Sequence, residues 1–100
     1  MTLTFENFEN FETIVNENIV LIEFYEDWCP KNKQDITDII DDKIMLYKCN
    51  VDEQEDIAEW CDITDLPTYI CYENGVQLFT LEGTNKHQLK KLLDNVLEGK

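Results

Sequence analysis

Ile22-Glu23-Phe24-Tyr25-Glu26-Asp27-Trp28-Cys29-Pro30-Lys31-Asn32-Lys33 decides the reading of this chain. It opens as a buried strand and closes as the start of a helix, with Trp28-Cys29-Pro30 at the junction. Pro30 suits the first position of a helix, where a missing N–H costs no hydrogen bond. A thiol at such a junction faces backbone N–H groups and the positive end of a helix dipole, which both favour the nucleophilic thiolate. Lys31 and Lys33 add to that pull, while Glu26 and Asp27 oppose it. A dithiol site would carry its second sulfur three residues on, and Asn32 stands there instead.

Outward from this stretch the chain alternates between strand and helix patterns. Upstream, Phe5, Phe8, Phe11 and Val15 are spaced for one helical face, with Thr4 or Asn7 as candidate caps and Leu3 in a short edge strand. Ile19 to Tyr25 is apolar and rich in β-formers except at Glu23, as in a central strand covered on both sides. Downstream, Ile36, Ile39 and Ile40 predict a helix running from Lys31 to near Asp41-Asp42. Ile44 to Cys49 reads as a second buried strand. Asp52 is the expected cap of a short helix, Glu53 to Cys61, with Ile57, Trp60 and Cys61 facing inward. Thr68 to Tyr72 is a third strand, Glu73-Asn74-Gly75 a hairpin turn, and Val76 to Leu81 a fourth strand. Asn85 then caps a last helix whose inward face is Leu89, Leu92, Leu93, Val96 and Leu97. His87, early on that helix, is expected to face solvent.

Strands separated by helices predict parallel neighbours with right-handed crossovers, and the late hairpin adds an antiparallel edge. The expected fold class is α/β: a mixed sheet of four to five strands with helices on both faces. In such sheets the functional edge lies beyond the C-terminal ends of the parallel strands, where Cys29 falls.

The totals agree with one domain over residues 1–100. The hydrophobic fraction is 43%, ordinary for a globular chain. The formal net charge is −14, from 22 acidic residues against 8 lysines and no arginine. That field repels nucleic acid and anionic membrane surfaces, and favours partners with a basic face. Cys29, Cys49, Cys61 and Cys71 could suggest a disulfide framework, but Cys49 and Cys71 lie within apolar strand patterns and behave there as small hydrophobes. No secretory run or membrane-length apolar run is visible, so a reducing, cytoplasmic setting is expected. Four scattered cysteines and one histidine make a poor zinc site, and no metal is expected.

Taken together, Val20 to Tyr25 running into Trp28-Cys29, then Lys48-Cys49-Asn50-Val51-Asp52, Leu66-Pro67-Thr68, Asn74-Gly75 and Glu82-Gly83-Thr84-Asn85-Lys86, resemble the thioredoxin family in order and in most spacings. The resemblance covers nearly the whole chain. It implies that Cys29 is the nucleophile, flanked by Trp28, and that Pro67, after Leu66, is the cis-proline beside the thiol that lets the preceding backbone pair with a substrate strand. It also implies that Gly83 leaves room for that substrate, and that Glu23 is the buried carboxylate beneath the site, with Lys48 as its partner. Three departures stand out. The family's C-G-P-C becomes Cys29-Pro30-Lys31-Asn32, so the releasing cysteine is replaced by Asn32. The buried acid is Glu rather than Asp. The segment from Cys29 to Asp52 is shorter by about a turn to a turn and a half of helix, so the helix after the site should be truncated.

The chemistry implied is thiol–disulfide exchange through a single thiol. Cys29 would attack a protein disulfide, and an external thiol, glutathione as co-substrate, would release the product, since Asn32 cannot. No bound cofactor is needed. The alternative is a redox-inactive module of the same fold that docks extended peptides along Trp28, Pro30, Leu66 and Pro67 by strand-like pairing. Either way a monomer acting on protein segments is expected.

Overall fold

The computed structural model describes residues 3–28 and 34–99. Along them run β1 (Leu3–Thr4), α1 (Phe8–Glu17), β2 (Ile19–Tyr25), β3 (Met45–Asn50), α2 (Glu55–Trp60), β4 (Thr68–Glu73), β5 (Val76–Glu82) and α3 (Lys86–Glu98), with one 3-10 turn at Thr37–Ile39. The strands form a single mixed sheet in the order β1-β3-β2-β4-β5.

The alternation of β2 sorts its side chains into two cores. Val20, Ile22 and Phe24 pack with Phe11 and Val15 of α1 and Ile57 of α2. Leu21 packs on the opposite face with Ile36 and with Leu89 and Leu93 of α3. Covering both faces explains why the strand reads as a continuous apolar run. Phe5 precedes α1 rather than belonging to it, yet is buried, stacked on Tyr47 with ring centroids 4.4 Å apart. The cap of α1 is Asn7, whose Oδ1 accepts from the Asn10 N–H at 2.8 Å. Asn10 in turn accepts from the Glu6 N–H at 3.0 Å, so two otherwise orphaned donors at the helix start are satisfied reciprocally.

Four expectations need correction. The segment before β3 is not an α-helix among its described residues: 34–36 carry no helix, and 37–39 make only the 3-10 turn. Its isoleucines have helical spacing, but local bonds fix another shape. Asp35 accepts from both the N–H and the hydroxyl of Thr37, Ile36 is buried, and Lys86 of α3 binds Asp38 at 2.7 Å. Second, Asp52 does not cap α2. The Asn50 side chain accepts from the N–H groups of Asp52 and Glu53, forming a turn that delays the helix to Glu55. Third, Trp60 does not face inward: it is 59% exposed, and Ile57 and Ala58 fill the buried positions. Fourth, β4 runs antiparallel to β2, so the sheet changes sense one strand before the hairpin. Residues 51–67 bring Thr68 in opposite Phe24, at the end of β2 that pairs with the close of β3, so β4 starts where β3 stopped and runs back.

The hairpin turn is tied to α1. Gly75 donates its N–H to the Val15 carbonyl at 2.7 Å, and Asn74 donates to Asn18 at 3.2 Å. Gly75 has φ +85°, and a Cβ there would strike the Asn16 side chain.

Phe11 is fully buried and contacts the rings of Phe5, Phe8, Trp60 and Tyr72. Phe11→Ala should cost about 3–5 kcal/mol in urea unfolding. Trp60→Ala, which removes a ring already more than half in water, should cost only about 1 kcal/mol. Equal losses would contradict the inverted placement of the two rings.

Candidate functional site

The C-terminal ends of β2 and β3 define one edge of the sheet, where Val51 N–H donates to the Tyr25 carbonyl at 3.0 Å. Because β4 is antiparallel, its first residue lies at this edge too, with Thr68 opposite Phe24 and Glu82 opposite Thr68. Strand register thus gathers three distant parts of the chain: the segment after Tyr25, the Leu66-Pro67 step before β4, and Gly83 after β5. Trp28 is 73% exposed. The Leu66–Pro67 bond is cis, Pro67 is buried, and Leu66 packs against the α1-side core. Gly83 donates its N–H to the Pro67 carbonyl at 2.9 Å. It sits at φ +95° with no atom of the described residues within 4 Å of where a Cβ would project, so glycine here serves the backbone. Cys29, Pro30 and Asn32, with Lys31 and Lys33, lie outside the described residues.

Beneath this edge, Glu23 is 1% exposed. Register explains its partners: it lies opposite Lys48 on β3 and opposite Tyr69 on β4. Lys48 Nζ stands 3.3 Å from Oε1. The Tyr69 hydroxyl donates to Oε2 at 2.6 Å and accepts from Gln34 Nε2 at 3.2 Å. Burial, then the Glu23 carboxylate it serves, push the Tyr69 hydroxyl well above its ordinary pKa, so it stays a donor. The Lys48 ammonium also lies 5.8 Å from the Tyr25 ring centroid. Sequence reading paired Glu23 with Lys48 through the resemblance but missed Tyr69 and Gln34. The available signal was the hairpin, which fixes β4 alternation and puts Tyr69 on the Glu23 face.

Three of the four thiols are placed by the core. Cys49 and Cys71 are fully buried within strands. Burial, together with the nearby Cys61 and Asp56, pushes the Cys49 thiol up to about 12. Cys61, at the end of α2, is half-buried, its sulfur 3.6 Å from the Tyr72 hydroxyl, and burial raises it as well. Thiols held in this way are weak nucleophiles at neutral pH.

The rim is acidic. Burial, then the Asp52 charge, raise the Glu26 carboxyl above its ordinary range. A hydrogen bond and charge from Asp65 do the same to Glu82. Among the described residues no cluster of His, Cys, Asp and Glu is placed to hold a metal ion, and no helix is long and apolar enough to cross a membrane. A cavity of about 580 Å³, with Trp28 not in its lining, lies between the end of α2 and β5.

Three outcomes follow for the buried network and the rim. Tyr69→Phe leaves one Glu23 oxygen without its donor and should cost about 2–3 kcal/mol. Lys48→Met should cost about 1–2 kcal/mol, less because Lys48 is a third exposed. Urea midpoints check both, and a loss under about 0.5 kcal/mol in Tyr69→Phe would contradict the contact. A carboxyl raised on folding binds its proton more tightly in the folded state. Its stabilising effect is complete below the unfolded pKa and is lost as pH rises through the folded one. Glu26→Gln should therefore raise the Tm at about pH 7 and lose that advantage near about pH 4.

Comparison with known proteins agrees with this geometry. The thioredoxin family model matches residues 2–95. Thioredoxin 1 of Plasmodium falciparum is 32% identical over 91 residues, covering 84% of this chain and 86% of its own length. Mitochondrial thioredoxin 3 of Saccharomyces cerevisiae, in its oxidised form, superposes with a TM-score of 0.85 at 26% identity, covering 94% of both chains. The thioredoxin of Trypanosoma brucei brucei shares the fold with a TM-score of 0.87 at 22% identity, over 98% of this chain and 92% of its own. A match across nearly the whole sequence, with the same sheet and a cis-proline at its edge, shows that the chain belongs to the thioredoxin family, whose members exchange thiols with protein disulfides.

Proposed function

We propose that this protein performs thiol–disulfide exchange through Cys29 alone, with glutathione as the releasing thiol. The observation that carries the reading is the burial of the other three sulfurs. Cys49, Cys61 and Cys71 are withdrawn into the fold, while Cys29 directly follows the exposed Trp28 at the edge that holds cis-Pro67 and Gly83. Asn32 stands where the family keeps its second thiol.

In the first step the Cys29 thiolate attacks one sulfur of a substrate disulfide. A mixed disulfide forms and the other substrate sulfur leaves as a thiolate. A glutathione thiolate then attacks the Cys29 sulfur, releasing the second substrate thiolate and leaving Cys29 glutathionylated. A second glutathione frees Cys29 and departs as glutathione disulfide. In sum, one protein disulfide is reduced to two thiols while two glutathiones are oxidised. Trp28, Pro30, Leu66 and Pro67 would bind the substrate segment, with Gly83 giving it room. Glu23 and Lys48 serve as buried architecture beneath the site. The reading is of a monomer working in the reducing cytoplasm on protein segments with a basic face, without a bound cofactor.

The second reading, a redox-inactive module binding extended peptides along the same edge, draws support from Asn32 and from the lack of an α-helix over the described residues 34–40.

Incubation with a small aromatic disulfide, with and without glutathione, separates the two, with Cys29 followed by mass spectrometry. Cys29 should form an adduct, and turnover should need glutathione. Cys29→Ser should abolish both. Asn32→Cys should release both substrate thiols in a single turnover without glutathione, roughly tenfold faster or more than the unaltered protein, because release becomes intramolecular and leaves Cys29 bonded to the new thiol at position 32. No adduct even at about pH 9, above the ordinary thiol pKa, would leave the binding reading standing. Release of both substrate thiols by the unaltered protein in a single round without glutathione would overturn the single-thiol cycle.

A further inference from the structure

The cavity of about 580 Å³ between the end of α2 and the outer strand β5 shares only Thr68 and Glu82 with the edge described above. Trp60, Ile63 and Thr64 form one wall, Gln77, Thr80 and Glu82 the other. Trp60 is held edge-on by Phe8 and Phe11, with ring centroids 6.2 and 5.8 Å away, yet remains 59% exposed. An indole fixed on one side and open on the other is an unusual use of the largest side chain on a six-residue helix. The β5 wall is equally unspent: Gln77, Thr80 and Glu82 are all exposed.

Charge indicates what this groove suits. Among the described residues, its charged lining residues are Asp62 and Glu82, and no lysine lines it. The bias extends well beyond the lining: between Cys49 and Asn85 the sequence has nine carboxylates and no lysine at all. A cationic side chain entering here meets an aromatic face that attracts it and carboxylates that neutralise it, with no competing ammonium in that stretch of chain. Thr68 lines the groove and directly follows cis-Pro67. A segment laid across the cis-proline edge can therefore continue into it.

We propose that this groove is a second docking site, which receives a lysine- or arginine-bearing extended segment of the protein on which the Cys29 edge acts. It rests on the function proposed above only in taking the partner to be a protein segment. Trp60 sets the position of the cationic side chain, and Glu82 and Asp62 supply the opposing charge. The groove thereby selects among disulfide-bearing partners by a feature remote from their sulfur.

The test uses the full chain and two cysteine-free probes, an acetylated octapeptide of alternating lysine and serine and its glutamate counterpart. The lysine probe should shift the Trp60 indole signal and the amides of 61–64 and 77–82 in two-dimensional NMR, and should weaken strongly at about 0.5 M salt. Trp60→Ala and Glu82→Lys should each weaken it about fivefold or more. The same charge change at exposed Glu12 on α1 should leave it within about twofold. Equal weakening by Glu12→Lys, comparable binding of the glutamate probe, or shifts centred on Trp28 and Gly83 would overturn the proposal. So would a dimer in sedimentation that Trp60→Ala dissolves, since the occupant would then be a second copy. Neither probe contains sulfur, so the two readings fail separately. Lysine-probe binding without a Cys29 adduct refutes the thiol cycle alone, and an adduct without binding refutes this groove alone.

Discussion

A carboxylate stripped of water in the middle of the sheet sets the terms for the rest of the molecule. Glu23 is tolerated because Tyr69 and Lys48, one from each neighbouring strand, meet its two oxygens. Burial of a charge without such partners costs several kcal/mol, typically more than a small domain can absorb. The contacts exist only in the observed register, with Glu23 opposite both residues at once. A slip of one residue would turn Glu23 into the opposite core, among Phe11, Val15 and Ile57. The apolar residues of β2 would tolerate such a slip far better than the carboxylate would. Glu23 therefore specifies pairing more than it adds net stability.

That same register assembles the edge. Pro67 and Gly83 are sixteen positions apart, and Trp28 is farther still, yet each sits at the end of a strand whose neighbour is fixed through β2 or β4. The hydrogen-bond chain from Gln34 through Tyr69 to Glu23 extends the control to the segment that follows Cys29 in sequence. A buried polar group and an exposed binding edge are in this sense one construction.

Much of this was legible from residues alone, for physical reasons. β2 and α3 have strong, unambiguous periods, and Asn74-Gly75 is a turn signal with few alternatives. The failures share a cause, which is that tertiary contacts outvoted a local pattern. Ile36, Ile39 and Ile40 carry helical spacing, but Asp35 and the Asp38–Lys86 ion pair hold their segment in a tighter turn. Asp52 is a good cap by type, but Asn50, one residue inside β3, reaches the free N–H groups first. Trp60 fits an inward stripe, but the space is filled by Phe8 and Phe11, so the indole lies over them. Of the candidate site, Trp28, Pro67 and Gly83 were visible through the resemblance. Tyr69 was not, because its role depends on cross-strand alignment rather than on any local motif.

The tie between the hairpin and α1 bears on how this chain can be re-engineered. Hairpin tips are ordinarily where a domain accepts inserted sequence or new termini. Here the tip supplies N–H groups to carbonyls at the end of a helix, and Gly75 lies against the Asn16 side chain with no space for a Cβ. The Asn74–Gly75 turn is therefore a fastener between two elements rather than a free loop. A permuted or tagged form opened there would fray α1 and loosen the core around Val15, leaving the turn a poor choice for a new chain end even though its residues are exposed.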